Sequence, residues 1–235
     1  MSGSDDEECS CFASPPCFMH EIDPAYAGMT ADRQQEIDVG RWRKAERTRL
    51  IAKRVAISRA VKCAHGAAIA GWLKEAIGDP AGLTVSAYWP FRGEPDLRDL
   101  MQWVVSRGGR TALPVVVEKT KPLIFRAWSP GEPLERGIWN IPIPAAGPAV
   151  VPDIVISPVV GFDPNCYRLG YGGGFFDRTL ASWDPKPRIL GVGYALQAVP
   201  TIHPQPHDIP MDCIATEKGM VTPAGSGEGS GYVRR

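Results

Sequence analysis

Apolar and polar residues recur along this chain with two periods, and the switches between them lay out a fold. Residues 40–58 and 59–77 carry the 3.6-residue repeat of helices, the second ending at the Gly78-Asp79-Pro80 breaker. "LTVSAYW" (83–89) gathers β-branched and aromatic residues and reads as a strand. In "DLRDLMQWVVSRG" (96–108), Leu97, Leu100, Met101, Val104 and Val105 share one helical face, with glycine at the end. "RTALPVVV" (110–117) and "LIFRAW" (123–128) read as strands joined by a turn at "EKTKP". Six prolines between 130 and 152 predict an ordered irregular loop without a regular element. "DIVISPVV" (153–160) is almost wholly apolar, as a strand buried on both faces of a parallel sheet must be. A short helix over "FFDRTLASW" (175–183), a buried strand over "RILGVGYA" (188–195) and a last strand over "CIATE" (213–217) complete the series. Strands and helices taking turns in this way predict an α/β fold, a three-layer sandwich around a mostly parallel sheet in a single domain.

The ends depart from this pattern. Residues 1–39 have no sustained period and are rich in acid, cysteine and proline, so a mostly disordered extension is expected there. Its Cys9, Cys11, Cys17 and His20 lack the paired CxxC spacing of a zinc site, so an inert tail is the first reading, with a short docking motif or metal binding as alternatives. "PAGSGEGSGYVRR" reads as a flexible Gly/Ser tail, giving expected boundaries of 1–39, 40–218 and 219–235.

At 44% hydrophobic and 22% charged, the chain has the composition of an ordinary globular protein. No stretch approaches the roughly 18 consecutive apolar residues of a membrane span. The N-terminus has no basic region followed by an apolar one, so a cytoplasmic location is expected, with the six cysteines as thiols. The 26 acids balance the 26 bases, but nine acids and only Arg33 lie in residues 1–39. The remainder holds 17 acids against 25 bases, which suits an anionic small molecule or nucleic acid.

The densest anomaly is "RLGYGGGFFDRTL" (168–180), with four glycines in the five positions 170–174. Glycine in regular structure costs about 0.5–1 kcal/mol relative to alanine, so the run marks backbone that approaches something side chains would exclude. Successive amides at a helix start can curl around an anion. No GK[ST] follows, which excludes a P-loop, and Phe175 stands where GxGxxG needs its third glycine. A tight turn without ligand is the plain alternative. Asp177 would favour the helix dipole by about 0.3–1 kcal/mol. It would also repel a phosphate unless a magnesium ion bridged the two. Phe176, Leu180 and Trp183, at helical spacing, read as core.

Four blocks in order, "YWPFRGEPDLRDLM" (88–101), "GIWNIPIP" (137–144), "GFDPNCYRLGYGGGFFDRTL" (161–180) and "HDIPMDCIATEKG" (207–219), resemble the 5-formyltetrahydrofolate cyclo-ligase (methenyltetrahydrofolate synthetase) family. The resemblance covers about residues 40–218. It implies a Rossmann-like three-layer sheet and an enzyme that uses ATP as co-substrate with Mg2+. ATP phosphorylates the formyl oxygen on N5, N10 attacks the activated carbon, and 5,10-methenyltetrahydrofolate leaves with ADP and phosphate.

Carried onto this chain, the resemblance assigns ATP phosphates to Arg168 and to the backbone of Leu169, Gly170, Tyr171, Gly172, Gly173, Gly174, Phe175 and Phe176. The family's basic pair falls on Arg43 and Arg47, with Lys44 able to replace Arg43. A solvated basic face shared with Lys53, Arg54, Arg59 and Lys62 is the alternative. Asp177 would take the metal and Asp208 a second acidic contact, unless Asp208 only forms a turn. Arg168, Tyr171 and Asp177 would act in catalysis. Glu94 would pair with the adjacent amino and ring N–H donors of a pterin. Trp89 and Trp139 would wall the ring beside Tyr171 and Phe176, a core role being the alternative for either tryptophan. Phe176 stands where the family usually has tyrosine, a departure that bears on rate or substrate.

Two other readings compete. One is a paralogue that binds nucleotide with a different formylated or folate-like ligand. The other is a nucleic-acid binder using the basic 41–62 helix, which holds no stacking aromatic beyond Trp42. Small-molecule partners, no nucleic acid, no membrane, and a monomer or small homo-oligomer are expected.

Overall fold

The computed structural model describes residues 24–223, with side chains from residue 33. The chain divides into two units after Arg41. In the first, helix α1 (Pro24–Ala56) is already under way. Residues 24–39, expected to be disordered, are therefore helical: "ADRQQEID" is rich in helix formers, and the Gln34 amide donates to Asp38 one turn on, at 3.0 Å. Cys9, Cys11, Cys17 and His20 lie outside the described residues.

The second unit holds an eight-stranded sheet. Its strands are β1 (Thr84–Ser86), β2 (Arg110–Val115), β3 (Ile124–Ala127), β6 (Ala149–Val150), β7 (Ile154–Pro158), β10 (Arg188–Val192), β11 (Cys213–Thr216) and β12 (Gly219–Val221). The order is β12-β11-β10-β7-β1-β2-β3-β6. Strands β11 to β2 run parallel, and β12, β3 and β6 add antiparallel edges. The expected α/β sandwich around a mostly parallel sheet is the fold observed.

The pleat explains the apolar strands. Ile154 and Ile156 face one side with Val85, Leu190 and Val192, where Ile69, Leu73 and Ile77 of α2 (Arg59–Ile77) and Leu100 and Val104 of α3 (Arg98–Ser106) cover them. Val155 faces the other side with Ala112, Ile189 and Ile214, packed with Leu180 of α4 (Phe175–Ala181). Phe176 and Trp183 pack against this second layer, as their spacing predicts.

Two expectations are corrected. The proline-rich segment 130–152 is not without elements: β4 (Leu134–Arg136) and β5 (Pro142–Pro144) form an antiparallel hairpin, and β6 joins the sheet edge. These are two- and three-residue edge pairings, where a missing N–H is tolerated. The expected tail begins with a strand, since Gly219–Val221 pairs with β11 through Met220↔Ala215. The rest of that tail lies outside the described residues from 224 on. A small pairing of β8 (Gly161–Phe162) with β9 (Arg168–Leu169) leads into the glycine loop. Among the described residues, no helix is long and apolar enough to cross a membrane.

The chain passes from β1 to β2 on one side, whereas β7 lies on the other. The strand order thus reverses at β1, which leaves a crevice beyond the carboxyl ends of β1 and β7. One buried side chain braces that edge. Gln197 donates to the Val159 and Val160 carbonyls at 2.8 and 2.6 Å and accepts from the Tyr194 amide at 2.8 Å. Gln197→Leu strands the Val160 carbonyl and the Tyr194 amide, since the Val159 carbonyl also accepts from Arg54, each at a cost of about 1–3 kcal/mol. The expected loss is about 3 kcal/mol, read as a lower urea midpoint at unchanged slope.

Candidate active site

A cleft of about 690 Å³ opens at this crevice. Its walls come from the segment after β1, the β4–β5 hairpin, the glycine loop, residues 207–208 and the inner face of α1. Arg43, Arg47, Trp89, Glu94, Trp139, Arg168, Gly170–Gly174, Phe175, Phe176, Asp177 and Asp208 all line it. Leu169 does not. Its place in β9 turns its side chain into the core with Leu50, and its carbonyl accepts from the Val160 amide at 2.8 Å.

One end of the cleft is cationic. Arg43 donates to the Ile202 and His203 carbonyls at 3.0 and 2.9 Å and pairs with Asp208. Arg47 donates to the Gly170 carbonyl at 2.7 Å. The helix therefore turns these arginines inward, where the nucleic-acid reading needs them exposed. Arg168 is buried, held by Asp177 at 2.9 Å, with its guanidinium 5.4 Å from the Phe176 ring. Burial lowers the pKa of Arg168, and Asp177 and Asp208 oppose that fall.

The glycine loop lies between these cations. Gly172 (φ 98°) and Gly174 (φ 62°) occupy left-handed backbone, which side chains disfavour. A Cβ at Gly173 would lie 2.5 Å from the Phe175 ring. Packing and turn geometry thus account for part of the run. Among the described residues, however, no acceptor meets the backbone N–H groups of 170–174. Successive unpartnered amides beside three arginines have the chemistry to accept an anion.

Asp177 and Asp208 sit at the same end. Asp177 accepts from Arg168 and, at 3.2 Å, from the Ile209 amide. Burial works against the Asp208 charge, but the Arg43 hydrogen bond and the Gln205 amide together hold its carboxyl below the usual range. Among the described residues, no group of three or more His, Cys, Asp or Glu side chains gathers as a metal site. Two carboxylates suffice for magnesium only when phosphates and water supply its other oxygens.

The rest of the lining is largely apolar, with Glu94, Tyr171 and Arg92 among its polar members. Glu94, 7% exposed, accepts from the Tyr171 hydroxyl at 2.8 Å and the Phe91 amide at 2.9 Å. Burial raises its carboxyl above the usual range, and the Arg54 charge, the Tyr171 hydroxyl and the Phe91 amide pull it part of the way back. Trp139, 53% exposed and in left-handed backbone, stands edge-on to Phe175 at 5.7 Å. Trp89 lines the cleft and packs edge-on against buried Trp128 at 5.9 Å, so it serves wall and core together.

Sequence reasoning passed over Arg54, grouped with a solvated basic face. It is 0% exposed and touches Tyr171. The signal was there: Arg54 lies eleven residues from Arg43 and seven from Arg47, on the same helical stripe as buried Leu50.

The sequence profile of the 5-formyltetrahydrofolate cyclo-ligase family matches residues 39–217. The chain belongs to this family. Among curated cyclo-ligases, that of Haemophilus influenzae is 34% identical over 134 residues, covering 54% of this chain and 72% of the relative. That of Mycolicibacterium smegmatis is 29% identical over 180 residues, covering 73% and 92%. That of Escherichia coli K12 is 33% identical over 140 residues, covering 57% and 77%. Among solved structures, the 5,10-methenyltetrahydrofolate synthetase of Aquifex aeolicus superposes with a TM-score of 0.67 at 26% identity, covering 82% of this chain and 97% of that one. The synthetase of Mycoplasma pneumoniae, at 22% identity and a TM-score of 0.62, shares the fold, covering 74% and 97%. Within the cyclo-ligase fold, the Phe176 ring lies against Arg168 and the second core layer, so the absent hydroxyl leaves the local packing filled.

Proposed function

We propose that this chain catalyses the ATP-dependent cyclisation of 5-formyltetrahydrofolate to 5,10-methenyltetrahydrofolate, with release of ADP and phosphate. One observation carries the reading: a single cleft is lined both by free amides with Arg43, Arg47 and Arg168 and by a buried carboxylate with aromatic rings.

Arg43, Arg47, Arg168 and the amides of 170–174 hold the triphosphate and draw charge from the phosphoryl group as it transfers. Glu94 accepts the paired N–H donors of the pterin and fixes the ring's orientation, with Trp89 and Trp139 as walls. That places the N5 formyl oxygen toward the γ-phosphate. Holding both reactants in one cavity replaces a bimolecular encounter, an effect worth several kcal/mol of barrier. The phosphorylated oxygen then leaves from the carbon as N10 attacks it. Arg168 and the loop stay in contact with the departing phosphate. Asp177 and Asp208, both hard carboxylate donors on the cleft, fit a magnesium ion, which when bound neutralises phosphate charge.

The test mixes purified protein with 5-formyltetrahydrofolate, ATP and magnesium. The methenyl absorbance band is expected to grow with one ADP released per product. A flat trace beside an active family control would overturn the reading in favour of a folate-like or other formylated ligand.

A further inference from the structure

Among the described residues, Arg54 is the one fully buried arginine whose charge the proposed chemistry leaves unused. Its guanidinium joins segments that follow two neighbouring strands. Nε donates to the Arg92 carbonyl after β1 at 3.0 Å, and Nη1 donates to the Val159 carbonyl after β7 at 3.1 Å. Nη2 donates to the Tyr171 hydroxyl at 2.5 Å and stands 3.7 Å from Glu94. The Tyr171 hydroxyl in turn donates to Glu94 at 2.8 Å. One planar fork thus ties two strand ends, the glycine loop and the pterin-facing acid together.

Stability does not account for this group. Burying a guanidinium carries a desolvation penalty of several kcal/mol, and apolar replacement of buried ion pairs is often neutral or better. The backbone it grips is also unusual. Arg92 (φ 47°) adopts left-handed backbone, which costs a side-chain-bearing residue about 1–2 kcal/mol. Such conformations persist where the surroundings over-determine them, and they cluster at functional sites. Here the over-determination is visible: the Arg92 carbonyl is held by Arg54, and Glu94 leaves that turn two residues later.

We infer that Arg54 is a positioning residue which, acting through Tyr171, fixes the aim and the charge of Glu94 toward the substrate ring. This rests on the cyclisation reading for the identity of the ring. Four groups face Glu94: Arg54 from α1, Tyr171 from the glycine loop, Tyr88 from the end of β1 and Tyr194 from the end of β10. Burial pushes both Tyr88 and Tyr194 upward, the latter to about 12, so neither carries charge near neutrality. Arg54 is the cation of the set.

The experiment compares wild type, Tyr171→Phe, Arg54→Lys and the double variant. Binding of 5-formyltetrahydrofolate is read by quenching of tryptophan fluorescence across pH, alongside turnover with Mg-ATP. Tyr171→Phe removes one oxygen from the cleft rim and keeps the fold testable should Arg54→Lys unfold. Losing the hydroxyl removes a bond that favours the ionised acid, so the acid limb of binding is expected to move to higher pH. The folate dissociation constant should rise about tenfold near neutrality, while KM for ATP changes less than about twofold. Because both side chains act through one acid, the double variant should fall little below the weaker single one. Multiplying single effects, or an unmoved acid limb with wild-type turnover intact, overturns the relay and leaves the reaction standing. Folate binding with the expected variant pattern but no wild-type turnover supports the relay and overturns the cyclisation.

Discussion

Replacing Glu94 by glutamine is expected to lower kcat/KM for 5-formyltetrahydrofolate by about 10³-fold. The carboxylate accepts hydrogen bonds through both oxygens and faces a cleft walled by aromatic rings. In the proposed complex, two charge-assisted bonds to the pterin would contribute about 2 kcal/mol each, and their sum of about 4 kcal/mol corresponds to that ratio. Glutamine keeps the shape but offers an N–H where the ring also offers one. The loss should fall on the folate, so KM for ATP is expected to stay within about twofold. Arg54 also loses its nearby counter-charge, and a lower denaturation midpoint should accompany the kinetic change. A variant that turns over folate at the wild-type rate would remove Glu94 from the pterin site.

The second large effect is expected from Arg168→Met. Arg168 and Asp177 form a nearly dry pair at 2.9 Å. Removing one member of a buried pair costs about 3–5 kcal/mol, because the other charge stays behind. For a domain of this size that corresponds to about 10 °C in Tm. Activity should fall further than stability explains, since the variant also withdraws a cation from the phosphate end. The double variant Arg168→Met with Asp177→Asn tests the stability half alone, because Asp177 is itself a proposed metal-holding residue. It should recover part of the lost Tm, measured by calorimetry. Recovery of methenyl formation as well would confine Arg168 to a structural pairing.

What was legible in the sequence follows from which forces act locally. The apolar run of β7 could only be a strand with two buried faces, and "EKTKP" joins β2 and β3 as expected. The glycine run and its flanking Arg168 and Asp177 announced a loop built around backbone. Pairings between distant segments were not legible. Nothing near Arg54 indicates that its partners sit at 92, 159 and 171. Nor does anything near Asp208 indicate Arg43, 165 positions earlier. Prolines hid the β4–β5 hairpin, because a missing donor argues against sheet unless the pairing is short and at an edge.

The stripe Arg43, Arg47, Leu50 and Arg54 makes α1 a gauge block for the active site. Eleven helical residues are about three turns, so roughly 16 Å of helix rise separates Arg43 from the brace at Arg54. That spacing is inherited from a repeat that cannot stretch. One residue inserted between Leu50 and Arg54 would swing the brace by about 100° and pull it off Tyr171 and Glu94 together. Surface loops of this chain can change length freely over evolution, but this stretch of helix can change only its side chains.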